Sequence, residues 1–320
     1  MVSDSLLKFA AENYKFDKGT LKFISDSTNQ IYVFEKDGQG YILRFAERSL
    51  AQIHQTKAEM EWLHYLAKNN INVSLPLRTD DGELVLSTED NGKNFIISSF
   101  EKADGTFWDK NNPSKWNNKI FYNWGKVMGD VHRLTKDYIP ANDIDVRGSF
   151  TGREALDDSI KSCPSVNEIA EKLIAEMMDL PKDKDSYGLI HYDIHPWNFN
   201  IDGEKINLFD FDDSLYGWFV LDIGIALYHG LWWGRKDDAR QNFTNSIIRN
   251  FIKGYLSSND ISDFWLSKIP MFMKFRQICK FSWFFNPKHI DDHQKERIYN
   301  IENDILFTGC DINKSLFISK

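Results

Sequence analysis

The chain is 320 residues long, enough to bury a sizeable core as one large or two modest domains. Its 42% hydrophobic and 27% charged content is ordinary for a globular protein, and a formal charge of −8 argues against nonspecific binding to nucleic acid, whose phosphates want a basic surface. Cys163, Cys279 and Cys310 have no Cys-x-x-Cys spacing, which excludes a disulfide framework or a zinc centre; with no basic or apolar leader in the first five residues, a cytoplasmic protein is expected.

In chain order, Leu21–Ile24, Ile31–Glu35 and Tyr41–Phe45 are rich in β-formers, with a turn at Asp37–Gly40 between the last two. A helix is predicted from about Ala51 to Lys68, with Ile53, Trp62, Leu63 and Leu66 as its apolar positions. Strands near Glu83–Leu86 and Asn94–Ser98 follow, so the first hundred residues read as strands with one inserted helix. After Glu101, three apolar stripes predict long helices. Ile120, Phe121, Trp124, Val127, Met128, Val131 and Leu134 form the first; Val166, Ile169, Ala170, Leu173, Ile174 and Met177 the second; Phe243, Ile247, Ile248, Phe251, Ile252 and Tyr255 the third. The run Leu215–Trp233 is mostly apolar, but Asp222 and His229 interrupt it. A mid-span Asp costs roughly 2.5–3.5 kcal/mol on insertion scales, so a buried core helix is expected rather than a membrane span.

Chemistry concentrates in His191-Tyr-Asp-Ile-His-Pro-Trp-Asn198 and the following Leu208-Phe-Asp-Phe-Asp-Asp213. An Asp, four residues and an Asn, then an Asp on a following apolar strand, supply one base and two metal ligands for phosphoryl transfer. Asp193 would take the proton of an acceptor hydroxyl. Asn198 and Asp210 offer the hard oxygen ligands that Mg²⁺ prefers beside phosphates. Asp202-Gly203 supplies the tight turn of a hairpin that would return Asp210 toward Asn198.

These two motifs resemble the H-x-D-x-x-x-x-N and D-x-D signatures of the aminoglycoside phosphotransferase and choline kinase superfamily. Tyr192 and Trp197 stand where that family typically has glycines. The resemblance implies an α+β, two-lobed, protein-kinase-like fold, with a β-rich nucleotide-binding lobe over 1–101 and a mainly helical catalytic and acceptor-binding lobe over 102–320. It further implies that Ser27 and Asn29, between the first two strands, cover the nucleotide phosphates. Arg44 takes the place of the kinase strand lysine, on the α- and β-phosphates, with Glu59 as its ion-pair partner and Glu61 as the alternative. The segment Ser98–Ala103 would be the interlobe hinge, with Ser99, Phe100 and Lys102 beside the adenine edge. Asp222 resembles the family's structural aspartate, which accepts backbone hydrogen bonds from the catalytic loop.

Several roles stay open. His191 and His195 would brace the loop. Asp212 could touch a metal, bind a substrate amine or cap a turn. Trp197, Trp218, Trp232 and Trp233 are candidates for an acceptor wall, with core packing as the alternative. The activity implied is transfer of the γ-phosphoryl group of ATP, with GTP not excluded, to a hydroxyl of a small molecule, with Mg²⁺. The negative charge favours a cationic acceptor, such as an aminoglycoside or amino alcohol; homoserine, sugars and protein Ser/Thr hydroxyls are also used in the superfamily. A catalytically silent nucleotide-binding module is a competing reading. So is a nonheme iron oxygenase, since His191, Asp193 and His195 alternate along the chain. Oligomeric state is not legible.

Overall fold

The computed structural model describes residues 1–141, 147–232 and 240–285. In chain order its elements are α1 (Asp4–Tyr14), β1 (Lys22–Ser25), β2 (Gln30–Lys36), β3 (Gln39–Glu47), α2 (Ile53–Lys68), β4 (Val85–Asp90), β5 (Lys93–Glu101) and α3 (Asn118–Thr135). There follow α4 (Pro164–Met178), β6 (Tyr187–Ile190), β7 (Phe199–Asp202), β8 (Lys205–Leu208), β9 (Leu215–Trp218), α5 (Phe219–Trp232), α6 (Arg240–Leu256), α7 (Asp263–Leu266) and α8 (Ile269–Phe285). They form two units that interleave along the chain. The first comprises Met1–Thr106, Tyr138–Gly148 and Phe199–Asp212; the second comprises Phe107–Asp137, Ser149–Asn198 and Asp213–Lys320.

The first unit is built on a five-stranded antiparallel sheet in the order β1-β2-β3-β5-β4. Its two tight hairpins follow from local chemistry. Asp37-Gly38 lies between the paired residues Lys36 and Gln39, and Asn91-Gly92 between Asp90 and Lys93. All four turn residues have positive φ, which matches the right-handed twist of the flanking strands. One helix was expected here and two are present. The side chain of Ser3 caps α1 by accepting from the N–H of Leu6. Leu6, Ala10 and Tyr14, four residues apart, then pack on Tyr32, Phe34, Leu43 and Phe45 of the sheet. The β7–β8 hairpin belongs with this unit because its backbone is pinned on two sides. Ser74 N–H donates to Leu208 O at 3.0 Å, and Thr106 and Ile201 exchange bonds of 3.1 and 2.8 Å.

The second unit is helical, with the short β6–β9 pair holding Ile190 opposite Leu215. Its first and third expected stripes are α3 and α6, and their backbones touch through glycines. A Cβ on Gly125 would lie 1.9 Å from Phe251 O, and one on Gly254 would lie 1.9 Å from Tyr122 O. The apolar run expected as a core helix forms β9 and α5, and Leu221, Ile223, Ala226 and Leu227 are wholly buried. Among the described residues, no helix is long and apolar enough to cross a membrane.

Candidate active site

In the first unit, Arg44 on β3 is buried and donates to Glu59 of α2 through both arms of its fork, at 3.0 and 2.7 Å. Its Nε–H donates to Ser98 Oγ at 3.1 Å, and its guanidinium lies 4.9 Å from the Phe100 ring centroid. Burial opposes its charge, but Glu59 and then Asp212 outweigh burial and raise its pKa. Glu61, the alternative partner, is instead engaged by Tyr138 OH at 3.1 Å and Ala141 N–H at 2.7 Å.

Asp212 is the hub of this unit. Arg48 donates to both of its oxygens, Asn29 Nδ2 donates at 2.9 Å, and an Arg44 nitrogen lies 3.5 Å away. Burial would raise this carboxyl, but Arg44 and Arg48 hold it well below the usual carboxylate range. Asn29 is thus bonded to a carboxylate within its own unit, while Ser27 is exposed. Arg48 had no assigned role; its signal was a second Arg four residues after Arg44, at the exit of the strand. Asp210 is exposed, has φ of 63°, and its charge acts on Arg44.

The segment expected as the hinge is partly paired through its backbone within the first unit. The N–H of Lys102 donates to Gly40 O at 3.1 Å, and Ser99 O accepts from Leu77 N–H at 2.8 Å. Phe100 is bridged to Pro76. Leu75–Leu77, not legible as a partner in the sequence, engages Ser99, Phe100 and Glu101, while Gly40 of β3 holds Lys102. What distinguishes the segment chemically is the buried Ser99 Oγ, which has no partner among the described residues.

In the second unit, β6 delivers the chain into the loop 191–198. Asp222, fully buried on α5, accepts from the N–H groups of His191 (3.0 Å) and Tyr192 (2.7 Å). His132 Nε2 lies 3.2 Å from the same carboxylate, and its Nδ1 lies 2.9 Å from Tyr255 OH. Burial lowers the pKa of His132, so the neutral ring donates from Nε2 and accepts at Nδ1. Tyr192 is held at φ 70°, a conformation that suits the glycine typical of this position. His191 Nδ1 accepts from Asp193 N–H at 3.4 Å, and His195 Nδ1 accepts from Trp197 N–H at 3.3 Å. Both histidines therefore brace the turn.

Asp193 is the focus of this loop. Asn198 Nδ2 donates to its carbonyl at 3.0 Å and to Oδ2 at 2.9 Å, and His195 Nε2 lies 3.4 Å from Oδ2. Tethering the amide nitrogen turns the Asn198 oxygen away from the Asp193 carboxylate, which leaves a neutral oxygen donor suited to a hard cation. Burial would raise the Asp193 carboxyl, but His195, Arg276 and Lys280 outweigh it and hold the group ionised. Arg276, on α8, donates to Asp193 Oδ1 and, through Nε–H, to His229 Nε2 at 3.0 Å. The sequence did not point to Arg276 or Lys280, because α8 carries no motif and its apolar positions run round most of its surface.

Donor atoms of Asp193, His195 and His229 lie within 4.8 Å of one another, the two-histidine, one-carboxylate set of a nonheme iron site. Arg276 bonds to two of the three, so a guanidinium already occupies the cation position. Of the tryptophans, Trp197 is 44% exposed and packs against Phe107 (5.4 Å) and Trp108 (5.5 Å). Trp218 is fully buried and donates to Pro181 O at 2.8 Å, so it is a core residue and not an acceptor wall. Trp233 lies outside the described residues, as does the side chain of Trp232.

An antiparallel sheet region followed by a helical region, with this loop, is an α+β kinase-like fold. The chain belongs to the phosphotransferase enzyme family, whose model matches residues 20–259. It is similar to the amicoumacin kinase of Bacillus subtilis strain 168, at 36% identity over 314 residues, 94% of this chain and 91% of the relative. Among solved structures, it is similar to amicoumacin kinase hAmiN in complex with AMP-PNP, Ca²⁺ and Ami. There the TM-score is 0.86 at 28% identity, over 95% of this chain and 93% of the other. A microcompartment-associated aminopropanol kinase, at TM-score 0.76 and 19% identity over 94% of both chains, shares the fold.

Proposed function

We propose that the chain is an ATP-dependent kinase that phosphorylates a hydroxyl of a small molecule, with an amicoumacin-type compound as the first acceptor to test. The observation that carries this reading is the state of Asp193: ionised, aimed by Asn198 and Arg276, on a loop clamped by buried Asp222. A group so held accepts the acceptor's proton as its oxygen attacks the γ-phosphorus. The bond from that phosphorus to the β–γ bridging oxygen breaks, and ADP leaves with the electron pair. Arg44, fixed by Glu59, is assigned to the nucleotide phosphates, with Arg48 and Asn29 close behind it on Asp212.

Asn198 and Asp210 are assigned to Mg²⁺. Asn198 directly precedes Phe199, and Asp210 lies two residues after Leu208, the strand partner of Phe199. When bound, the ion neutralises charge on the transferring group. Catalysis is then mainly positioning plus charge stabilisation.

The test is ADP formation from ATP and Mg²⁺ with amicoumacin and with amino alcohols, GTP serving as the comparison nucleotide. Asp193→Ala should lower kcat by about 10²–10⁴-fold, the usual worth of a general base, while nucleotide affinity stays near wild type. Asp210→Ala should instead weaken Mg²⁺-dependent nucleotide binding. Unchanged turnover in the first variant, or unchanged metal dependence in the second, contradicts the assignment.

A further inference from the structure

The surroundings of Asp193 within the second unit are basic, which the overall charge of the chain does not foreshadow. Arg276 and Lys280 are one turn apart on α8 and so share a face. Arg276 touches the base directly, and the charge of Lys280 acts on it. The Lys280 amine leans over the Trp283 ring, 5.8 Å from its centroid. From α5, burial holds the His229 pKa well below the ordinary value; from the loop, burial lowers that of His195, whose interaction with Asp193 opposes the shift. The acids that face these two cations are Asp193 itself and Asp213.

The Arg276 guanidinium, held on Asp193 Oδ1, sets a permanent positive charge beside the place of the reacting hydroxyl. An ammonium on the carbon next to that hydroxyl would sit against this charge. An oxygen there would not. Arg276 is also built to meet one: its side chain is only 13% exposed, and its fork is fixed at both ends by Asp193 and His229. A guanidinium carries about five N–H donors, and the bonds to Asp193 and His229 use only part of that set.

We propose that Arg276 reads a carbonyl or carboxylate oxygen next to the hydroxyl that Asp193 activates, so that the site selects a 2-hydroxy-acyl acceptor over a 2-hydroxy amine. This rests on the assignment of Asp193 as the base. Arg276 is then a specificity-determining residue.

Lactamide and 1-amino-2-propanol test this directly. They share a carbon skeleton and a hydroxyl, and differ by a carbonyl against a methylene bearing an ammonium. With ATP and Mg²⁺, the wild type should prefer lactamide by roughly 10- to 100-fold in kcat/KM, the range one charge-assisted hydrogen bond commands. Arg276→Met should collapse that preference through the KM for lactamide, and Arg276→Lys should keep part of it. Equal use of the two fragments by the wild type overturns the proposal. So does use of neither while another hydroxyl acceptor is phosphorylated. An Arg276→Met enzyme that slows both equally through kcat also overturns it, since Arg276 then only aims Asp193. Full activity in Asp193→Ala would instead remove the underlying kinase reading, and the two failures are thus distinct.

Discussion

At the scale of single residues, Tyr192 pits conformational strain against packing. A bulky residue at φ 70° costs of order 1–3 kcal/mol relative to glycine, yet its ring is buried and packs edge-on to Phe150 at 6.1 Å. Deleting a buried aromatic costs about 3–5 kcal/mol, so packing wins. Tyr192→Gly should therefore lower stability by about 2 kcal/mol in chemical denaturation, even though glycine suits the backbone better. A gain in stability would show that strain dominates. Lys280 carries a second residue-level prediction. Burial is the main reason its pKa falls from 10.5 to about 8, with Arg276 adding to it. Its folded value lies below its unfolded one, so between about pH 8 and 10 the unfolded chain binds more protons and stability rises with pH. Lys280→Met should flatten that rise in melting experiments. Above that window the buried tyrosines Tyr14 and Tyr255, whose pKa values burial raises, pull stability down again.

At the scale of elements, α3 and α6 show where helix propensity gives the wrong sign. Glycine inside a helix usually costs up to about 1 kcal/mol against alanine, so Gly254→Ala looks stabilising from sequence. A methyl group there would stand 1.9 Å from Tyr122 O, a backbone atom that cannot swing away. The helices must separate, and overpacking of this kind typically costs about 1–3 kcal/mol. We expect Gly254→Ala to lower the unfolding midpoint, whereas Gly92→Ala in an open hairpin turn should pay only for its positive φ of 74°. The helices themselves were legible because their apolar stripes are long and regular. The hidden elements were those whose signal is short or diffuse. The single cap at Ser3 opens an eleven-residue helix, and α8 is apolar on nearly every side, which blurs its period.

At the scale of the whole molecule, the loop 191–198 and the D-x-D segment were legible because each is a short run of chemically distinctive residues at fixed spacing. What was not legible are the residues that act on them from afar in sequence: Arg276 on Asp193, 83 positions away, and Arg48 on Asp212, 164 positions away. Charge partners of this kind obey no local period, so only the fold brings them into view. The interleaving of the units carries one last consequence, for synthesis on the ribosome. The sheet is complete by residue 101, yet Asp212 has still to emerge, and so has Phe211, whose ring meets Trp62 at 5.2 Å. Until then the nascent sheet carries Arg44 with Glu59 alone and Arg48 without Asp212. A polypeptide halted after residue 106 should therefore stay protease-sensitive and depend on holding factors, and one halted after residue 212 has left the exit tunnel should become resistant.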